Sequence, residues 1–365
     1  MRAVVLKSQG PAENLQPASI PVPELIPGHA LLRVHATSLN PVDVKIRQGL
    51  PIVSEDPAVL HGDVAGTIEA LAPDVTATHP EGLRPGDAVY GCCGGVRGSG
   101  GALAEFMLVD ARLLAKMPAG FDFAQAAALP LVTITAWEAL FDRGGLREPD
   151  TAAGATSADR PEANDEPGQQ ADKARTERIL IQGGAGGVGH VAVQLARAAG
   201  FESDRLFATA STPHKQRFVA ELGATPIAYE NESVESYVQR CTGGAGFDLV
   251  FDTVGGESLD ASFAAVKRGG RVCAIAARST HDLSPLHSKG ASLHVIFMLQ
   301  PLLFDDDTGR ERHGEILRAA ARLATAGLLR PCIDARRFMF SQAADAHRHY
   351  ENGDAVGKIV LENDL

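Results

Sequence analysis

Several things that would organise a chain of this length are scarce here. The five cysteines stand at 92, 93, 241, 273 and 332, are odd in number and form no C-x-x-C pair. That excludes a disulfide framework or a four-cysteine zinc knot as the main brace. Basic charge is short: 34 Lys and Arg against 45 Asp and Glu leave a formal net charge of −11. An acidic surface argues against nucleic acid or an anionic membrane as a partner. No apolar run approaches the about 18 residues of a bilayer span, and Met1-Arg2-Ala3-Val4-Val5-Leu6-Lys7 lacks the apolar core and cleavage site of a secretory signal. A reducing, cytoplasmic setting is therefore expected. Tyrosine occurs only at 90, 229, 237 and 350, so phenolic proton donors are few. Residues 147–177 contain no Ile, Leu, Val or aromatic residue. Such a stretch cannot bury enough surface to offset its ordering entropy, so it is read as a surface insertion without a packed core.

What is present centres on one segment, Arg178-Ile179-Leu180-Ile181-Gln182-Gly183-Gly184-Ala185-Gly186-Gly187-Val188-Gly189. A short β-branched run turns on glycines and continues as a helix, in which Val188, Val191, Ala192, Leu195, Ala196 and Ala199 recur at helical spacing before Gly200. Gly184-x-Gly186-x-x-Gly189 thus sits between a strand and a helix, where a dinucleotide fingerprint belongs. Gly184 is assigned to the tight turn, Gly186 to close approach of a pyrophosphate and Gly189 to helix–strand packing. Ala185, Gly187 and Val188 complete the loop, whose free N–H groups at the positive end of a helix suit a diphosphate.

Short strand-like runs separated by Pro and Gly turns fill residues 1–120 and predict a β-rich, partly closed barrel. The glycine-dense stretch 94–101 is loose enough in composition for a lid. Residues 124–141 are alanine-rich and helical around Pro130. After the fingerprint, strands at 205–209, 226–228, 248–252, 271–276 and 293–298 alternate with helices at 213–222, 234–240 and 258–266, as a parallel sheet requires. An amphipathic helix follows at 311–326, and the tail returns to β-structure at 337–340 and 358–361. The expected division is 1–125, completed by about 330–365, and 126–329.

The chain resembles the medium-chain dehydrogenase/reductase superfamily, in its zinc-free quinone oxidoreductase branch. The matching pieces are Ser38-Leu39-Asn40-Pro41-Val42-Asp43, Gly62-Asp63-Val64-Ala65-Gly66, Leu83-Arg84-Pro85-Gly86-Asp87-Ala88-Val89-Tyr90-Gly91, Ala126-Ala127-Ala128-Leu129-Pro130, Ile134-Thr135-Ala136-Trp137, the glycine loop, Phe247-Asp248-Leu249-Val250-Phe251-Asp252-Thr253-Val254-Gly255-Gly256 and Gly357-Lys358-Ile359-Val360-Leu361. They run in family order across nearly the whole chain. The departures are the 147–177 insertion and three additional residues, Glu202-Ser203-Asp204. The resemblance implies an α/β protein with a GroES-like β-barrel catalytic domain and a Rossmann doubly wound parallel-sheet domain.

Relatives with catalytic zinc hold it with a Cys and a His, where this chain has Asn40 and Gly62, and no Cys lies in 124–140. A catalytic zinc needs three protein ligands and an open position, so no metal is expected. Without a Lewis acid, an electron-poor acceptor such as a quinone or an α,β-unsaturated carbonyl suits the site better than an alcohol. The end of the second Rossmann strand reads Thr209-Ala210-Ser211-Thr212-Pro213-His214-Lys215, without the carboxylate of NAD-selective sites. Ser211, Lys215 and a family tyrosine at Tyr229 point to NADPH. Thr253 and Val254 follow a strand end, where the adenosine side of a nucleotide is expected. The resemblance places Asn40 and Thr135 close to the nicotinamide, Asn40 as a donor to the developing oxyanion, and Lys358 beside the cofactor. Tyr90 is the one tyrosine able to stand in as a proton donor. The alternatives are a 2-enoyl thioester reductase of the same fold and a catalytically silent NADPH-binding protein. Relatives imply a homodimer, formed through the strand at 293–298.

Overall fold

The computed structural model describes residues 1–54, 56–150, 176–353 and 355–365. Most of the 147–177 segment therefore lies outside the described residues. Eight strands open the chain: β1 (Arg2–Leu6), β2 (Leu15–Ser19), β3 (His29–Ser38), β4 (Ala58–Val59), β5 (Asp63–Leu71), β6 (Ala88–Cys92), β7 (Phe106–Asp110) and β8 (Ala115–Lys116). β3 shows why they form. Ala30, Leu32, Val34 and Ala36 alternate along it and all are buried, the period of two that a strand with one core face requires. It pairs antiparallel with β5 and β7, and β5 continues the sheet to β6 and β8. β1 pairs with β2 and β4 in a second, three-stranded sheet.

Six strands make the next sheet: β9 (Ile179–Gln182), β10 (Leu206–Thr209), β11 (Thr225–Ile227), β12 (Phe247–Asp252), β13 (Val266–Ala274) and β14 (Ser292–Val295). All are parallel, in the order β11-β10-β9-β12-β13-β14. The chain runs outward from β9 in one direction, returns, and continues in the other, so a switch point lies beside β9. Every residue of β9 and β12 is buried, as expected when helices cover both faces. On one face Phe207, Phe247, Phe263 and Tyr237 pack with Leu180, Val250 and Val272. Full burial of each such side chain contributes about 1.5–3 kcal/mol. The predicted strands and helices are present with ends shifted by a few residues; the run expected at 293–298 is shorter and ends at Val295.

The tail supplies β15 (Phe338–Met339) and β16 (Val360–Glu362), and β16 lies antiparallel on β3 with Val360 opposite Ser38. Two compact units result, Met1–Ile134 with Met298–Leu365, and Thr135–Phe297. The expected boundary near 329 is thus corrected to 297, because the helix Asp307–Thr325 packs within the first unit. Its Gly314 sits so close to the Arg112 carbonyl that a Cβ would lie 2.1 Å from the oxygen, and its Leu317 carbonyl accepts from the Tyr90 hydroxyl at 2.7 Å. Its apolar stripe, Ile316, Leu317, Ala320, Leu323 and Ala324, is buried. One helical stretch, Phe123–Arg143, is long and apolar enough by composition to cross a bilayer, but 78% of its apolar window is buried inside the fold, the mark of a core helix.

Candidate functional site

In the second unit the turn after β9 carries the candidate nucleotide site. The left-handed turn falls on Gly183, at φ 74°, and not on Gly184 as the fingerprint register suggested. Thr209 Oγ1 accepts from the Gly183 N–H at 2.8 Å, and Thr253 Oγ1 donates to the Gln182 carbonyl at 2.7 Å. The two strands flanking β9 therefore both pin the loop. Gly184 is required for packing: a Cβ there would lie 2.5 Å from the Ala208 methyl. Gly189 has the tightest need, since a Cβ would lie 2.1 Å from the Gly183 carbonyl oxygen. Gly186 is exposed and caps the helix Gly187–Ala198. The first-turn N–H groups of that helix, at Gly187, Val188 and Gly189, have no intrahelical acceptor by the geometry of any helix start, and with Ala185 they bound a concave backbone surface suited to an anion.

The neighbouring strand ends face the same edge. Thr253 and Val254 follow β12, and both touch the space above Gly183, where a Cβ would meet Thr253 Oγ1 and Val254 Cγ2 at 2.8 Å each. Asp252, unremarked in the sequence, is fully buried and shapes this turn. It accepts from the N–H groups of Val254 (3.1 Å) and Gly255 (2.6 Å) and from Ser258 Oγ (2.6 Å). On the other side, Ser211 follows β10 and Tyr229 follows β11. Thr212, rather than Ser211, caps the helix Pro213–Glu221 by accepting from the Lys215 N–H. The Ser211 hydroxyl and the exposed Lys215 ammonium have no partner among the described residues, and Tyr229 is 49% exposed.

In the first unit a second polar group is closed upon itself. Asp63, at the start of β5, is fully buried; its Oδ2 accepts from Ser38 Oγ (2.6 Å) and Asn40 Nδ2 (2.8 Å), and its Oδ1 from the Leu131 N–H (2.8 Å). Lys358 Nζ lies 3.6 Å from the same carboxylate and donates to Asn40 Oδ1 and, at 3.1 Å, to the Leu39 carbonyl. Asn40, expected to donate to a substrate oxygen, thus has its amide engaged by Asp63 and Lys358. Its own N–H donates to Asp43 Oδ2 at 2.7 Å, and burial pushes the Asp43 carboxyl up to about 7. Burial pushes the Lys358 ammonium down, against the opposing pull of Asp63 and Asp43. Asp63 and Asp43 had a weak signal in sequence, an acid within an apolar run, which demands buried partners.

A histidine pair adjoins this group. Arg47 Nε donates to His347 Nδ1 at 3.2 Å, and His347 Nε2 lies 3.1 Å from His61 Nε2. Because arginine only donates, His347 carries its proton on Nε2 and donates it onward, which leaves the His61 proton on Nδ1. Burial pulls both histidines down, His61 to about 3. The loop 94–101, read as loose, is tied down: Arg97 N–H donates to the Ile52 carbonyl at 2.7 Å and Gly95 N–H to that of Gly100 at 3.1 Å. Tyr90 is corrected from proton donor to packing residue, since it is fully buried with its hydroxyl committed to Leu317. Thr135 is buried in the helix Pro130–Trp137.

Two family models match: an alcohol dehydrogenase GroES-like domain over residues 26–119, and a zinc-binding dehydrogenase over 222–361. The chain is 31% identical to the chloroplastic NADPH-dependent alkenal/one oxidoreductase of Arabidopsis thaliana, over 99% of this chain and 79% of that protein. It is 33% identical to the spectinabilin polyketide synthase system protein NorB of Streptomyces orinoci, over 93% of this chain but only 14% of that protein. Among solved structures, an alcohol dehydrogenase superfamily protein from Novosphingobium aromaticivorans superposes with a TM-score of 0.84 at 39% identity, over 99% of both chains. The donors present do not fit the zinc that one family description carries. Among the described residues no three His, Cys, Asp or Glu side chains converge, Asp63 is engaged by four donors, and burial holds the Cys92 and Cys93 thiols well above their ordinary range.

Proposed function

Since this oxidoreductase belongs to the medium-chain dehydrogenase/reductase superfamily, in the branch of its quinone and alkenal/one reductases, we propose that it binds NADPH at the β9 turn and reduces a quinone or an α,β-unsaturated carbonyl without a metal. The observation that carries the reading is the combination at the strand ends: a backbone cradle with free N–H groups, beside a second strand that ends in Ser211 and an unpaired Lys215 in place of an acid. When bound, reduced nicotinamide supplies the hydride. The protein's part is to hold the diphosphate on the first turn of Gly187–Ala198, to take the 2′-phosphate with Lys215, Ser211 and the face of Tyr229, and to orient the ring from the Thr253–Val254 side. Asn40, Lys358 and Thr135 are proposed as positioning groups for the reaction.

A charge-assisted hydrogen bond to the 2′-phosphate contributes about 1.5–3 kcal/mol, about ten- to a hundred-fold in affinity. Lys215→Ala should therefore raise the NADPH Michaelis constant by that factor and leave that for NADH unchanged, in an assay with 1,2-naphthoquinone or a 2-alkenone. Equal effects on both nucleotides would refute the assignment. The open edge of β14, with Val295 and Phe297 more than half exposed, suits strand pairing with a second copy. Light scattering on the purified protein tests that homodimer. The free state of all five cysteines suits a reducing cytoplasm.

A further inference from the structure

Reducing an enone or a quinone takes a proton as well as a hydride, and no tyrosine is placed to give one. The loop that follows β13 offers another source. Ser279 Oγ lies 2.5 Å from His281 Nε2, and His281 Nδ1 lies 2.8 Å from Asp260 Oδ1. Ser279 and His281 are close in sequence, but Asp260 comes from the helix Glu257–Ala265, so two elements build the chain. Phe263 of the same helix braces the imidazole edge-on, with centroids 5.9 Å apart. The ring is nearly covered, its side chain 8% exposed, whereas that of Asp260 is 55% exposed and Ser279 is open to solvent. A hydroxyl, an imidazole held by a carboxylate in one orientation, and a path to water are the parts a proton relay needs.

Its place in the fold connects it to the nucleotide site. Val254 packs over Gly183, the next residue is Gly255, and a Cβ on Gly255 would lie 2.4 Å from the Ala276 carbonyl oxygen. The cradle, the turn after β12 and the loop after β13 are thus contiguous along the carboxyl edge of the sheet. Ser211 and Tyr229 lie on the β10–β11 side of the switch point. A dinucleotide that crosses it with its adenosine there carries its nicotinamide toward β12 and β13, where the loop with Ser279 begins.

We propose that Ser279, His281 and Asp260 are the proton relay of the reductase, with Ser279 Oγ–H the group that protonates the reduced acceptor. The assignment rests on the reductase reading above. An acceptor that has received hydride holds the electron pair on its α-carbon or its oxygen. The Ser279 O–H bond breaks and its proton forms a bond there. Oγ takes the proton from Nε2 of the His281 imidazolium, whose N–H electrons stay on nitrogen while Nδ1–H stays on Asp260, and water reprotonates Nε2 through the exposed Ser279 hydroxyl. The sum is one proton from solvent, with no further oxidant or reductant. Ser279 is the catalytic residue in this scheme; His281 and Asp260 act through it.

The experiment is 2-alkenone reduction followed by NADPH absorbance, with wild type, S279A, S279T, H281A and H281A plus free imidazole. Positioned proton transfer is worth about 10²–10⁴-fold. S279A and H281A should lose about 100-fold in kcat with the NADPH Michaelis constant unchanged, S279T should keep most activity, and imidazole should restore at least about tenfold to H281A but nothing to S279A. A merely structural histidine would not be rescued by the free base. S279A or H281A within twofold of an active wild type overturns the relay and leaves the reductase reading intact. A wild type inert toward NADPH and every acceptor overturns the reductase reading and the relay with it.

Discussion

The two units treat polar groups in opposite ways. Around Asp63 in the first unit, nearly every donor and acceptor is matched: the carboxylate takes Ser38, Asn40 and the Leu131 N–H, and Lys358 closes the circle. Around Gly183 in the second, protein groups fix the loop from behind while its front is left open, with helix-start N–H groups and the Lys215 ammonium facing outward. A saturated polar cluster is an architectural device, because any guest must displace a bond already made. An unsaturated one is a receptor, because a guest supplies the missing bonds. By that measure the glycine turn is the open receptor of the two, and Asn40 and Lys358 brace the fold around Asp63.

The sharpest test of the difference is Asp63→Ala. Removing it strands the buried Lys358 ammonium, and breaking such a pair by deleting one partner costs about 3–5 kcal/mol. Denaturant unfolding should show that loss, and Asp63→Asn, which keeps the shape, a smaller one. In the other unit, Gly189→Val drives a side chain into the Gly183 carbonyl and should weaken NADPH binding by about 100-fold or more in a fluorescence titration, since the turn can no longer present its N–H groups. If Gly189→Val bound NADPH normally, the cradle would be no receptor at all.

A pH series sharpens the comparison from the side of the first unit. His61 and His347 stay neutral in the fold, whereas the unfolded chain protonates them below about 6.5. Their contribution is whole above that value and is lost as pH falls toward about 3, where His61 titrates in the fold. Asp43, held up to about 7, has the reverse sign: its contribution is whole at acid pH and is lost as pH rises from about 4 toward 7. Melting temperatures of His61→Leu with His347→Leu should therefore fall less than those of the wild type between pH 6.5 and 4. Smallest of all is Tyr90→Phe, expected to cost about 1 kcal/mol through the lost bond to Leu317 and to leave kcat unchanged. A large drop in kcat would return Tyr90 to the reaction.

What could be read beforehand followed the range of the interactions involved. Strand–turn–helix alternation after residue 178 was legible because hydrophobic periodicity is local, and so was the glycine turn, though the left-handed position proved to be Gly183. Ser211 and Lys215 drew notice only through the absence of an acid at one place, and their part in cofactor choice is what Lys215→Ala tests. The cluster at Asp63 was not, because Asn40 meets Lys358 across 318 positions and His61 meets His347 across 286; no spacing rule reaches that far. The helix Asp307–Thr325 was seen as a helix but allotted to the wrong unit, since its periodicity shows which face is apolar and not which surface covers it.

The non-contiguous first unit has a consequence for biosynthesis. A ribosome releases residues 135–297 whole while the earlier domain still lacks β16 and the ammonium at 358. Until that last strand arrives beside β3, the Asp63 carboxylate has no cation to settle against. A premature stop a few codons before Lys358 should thus injure the oldest part of the nascent protein and spare the younger one, a pattern that limited proteolysis of stalled chains would reveal.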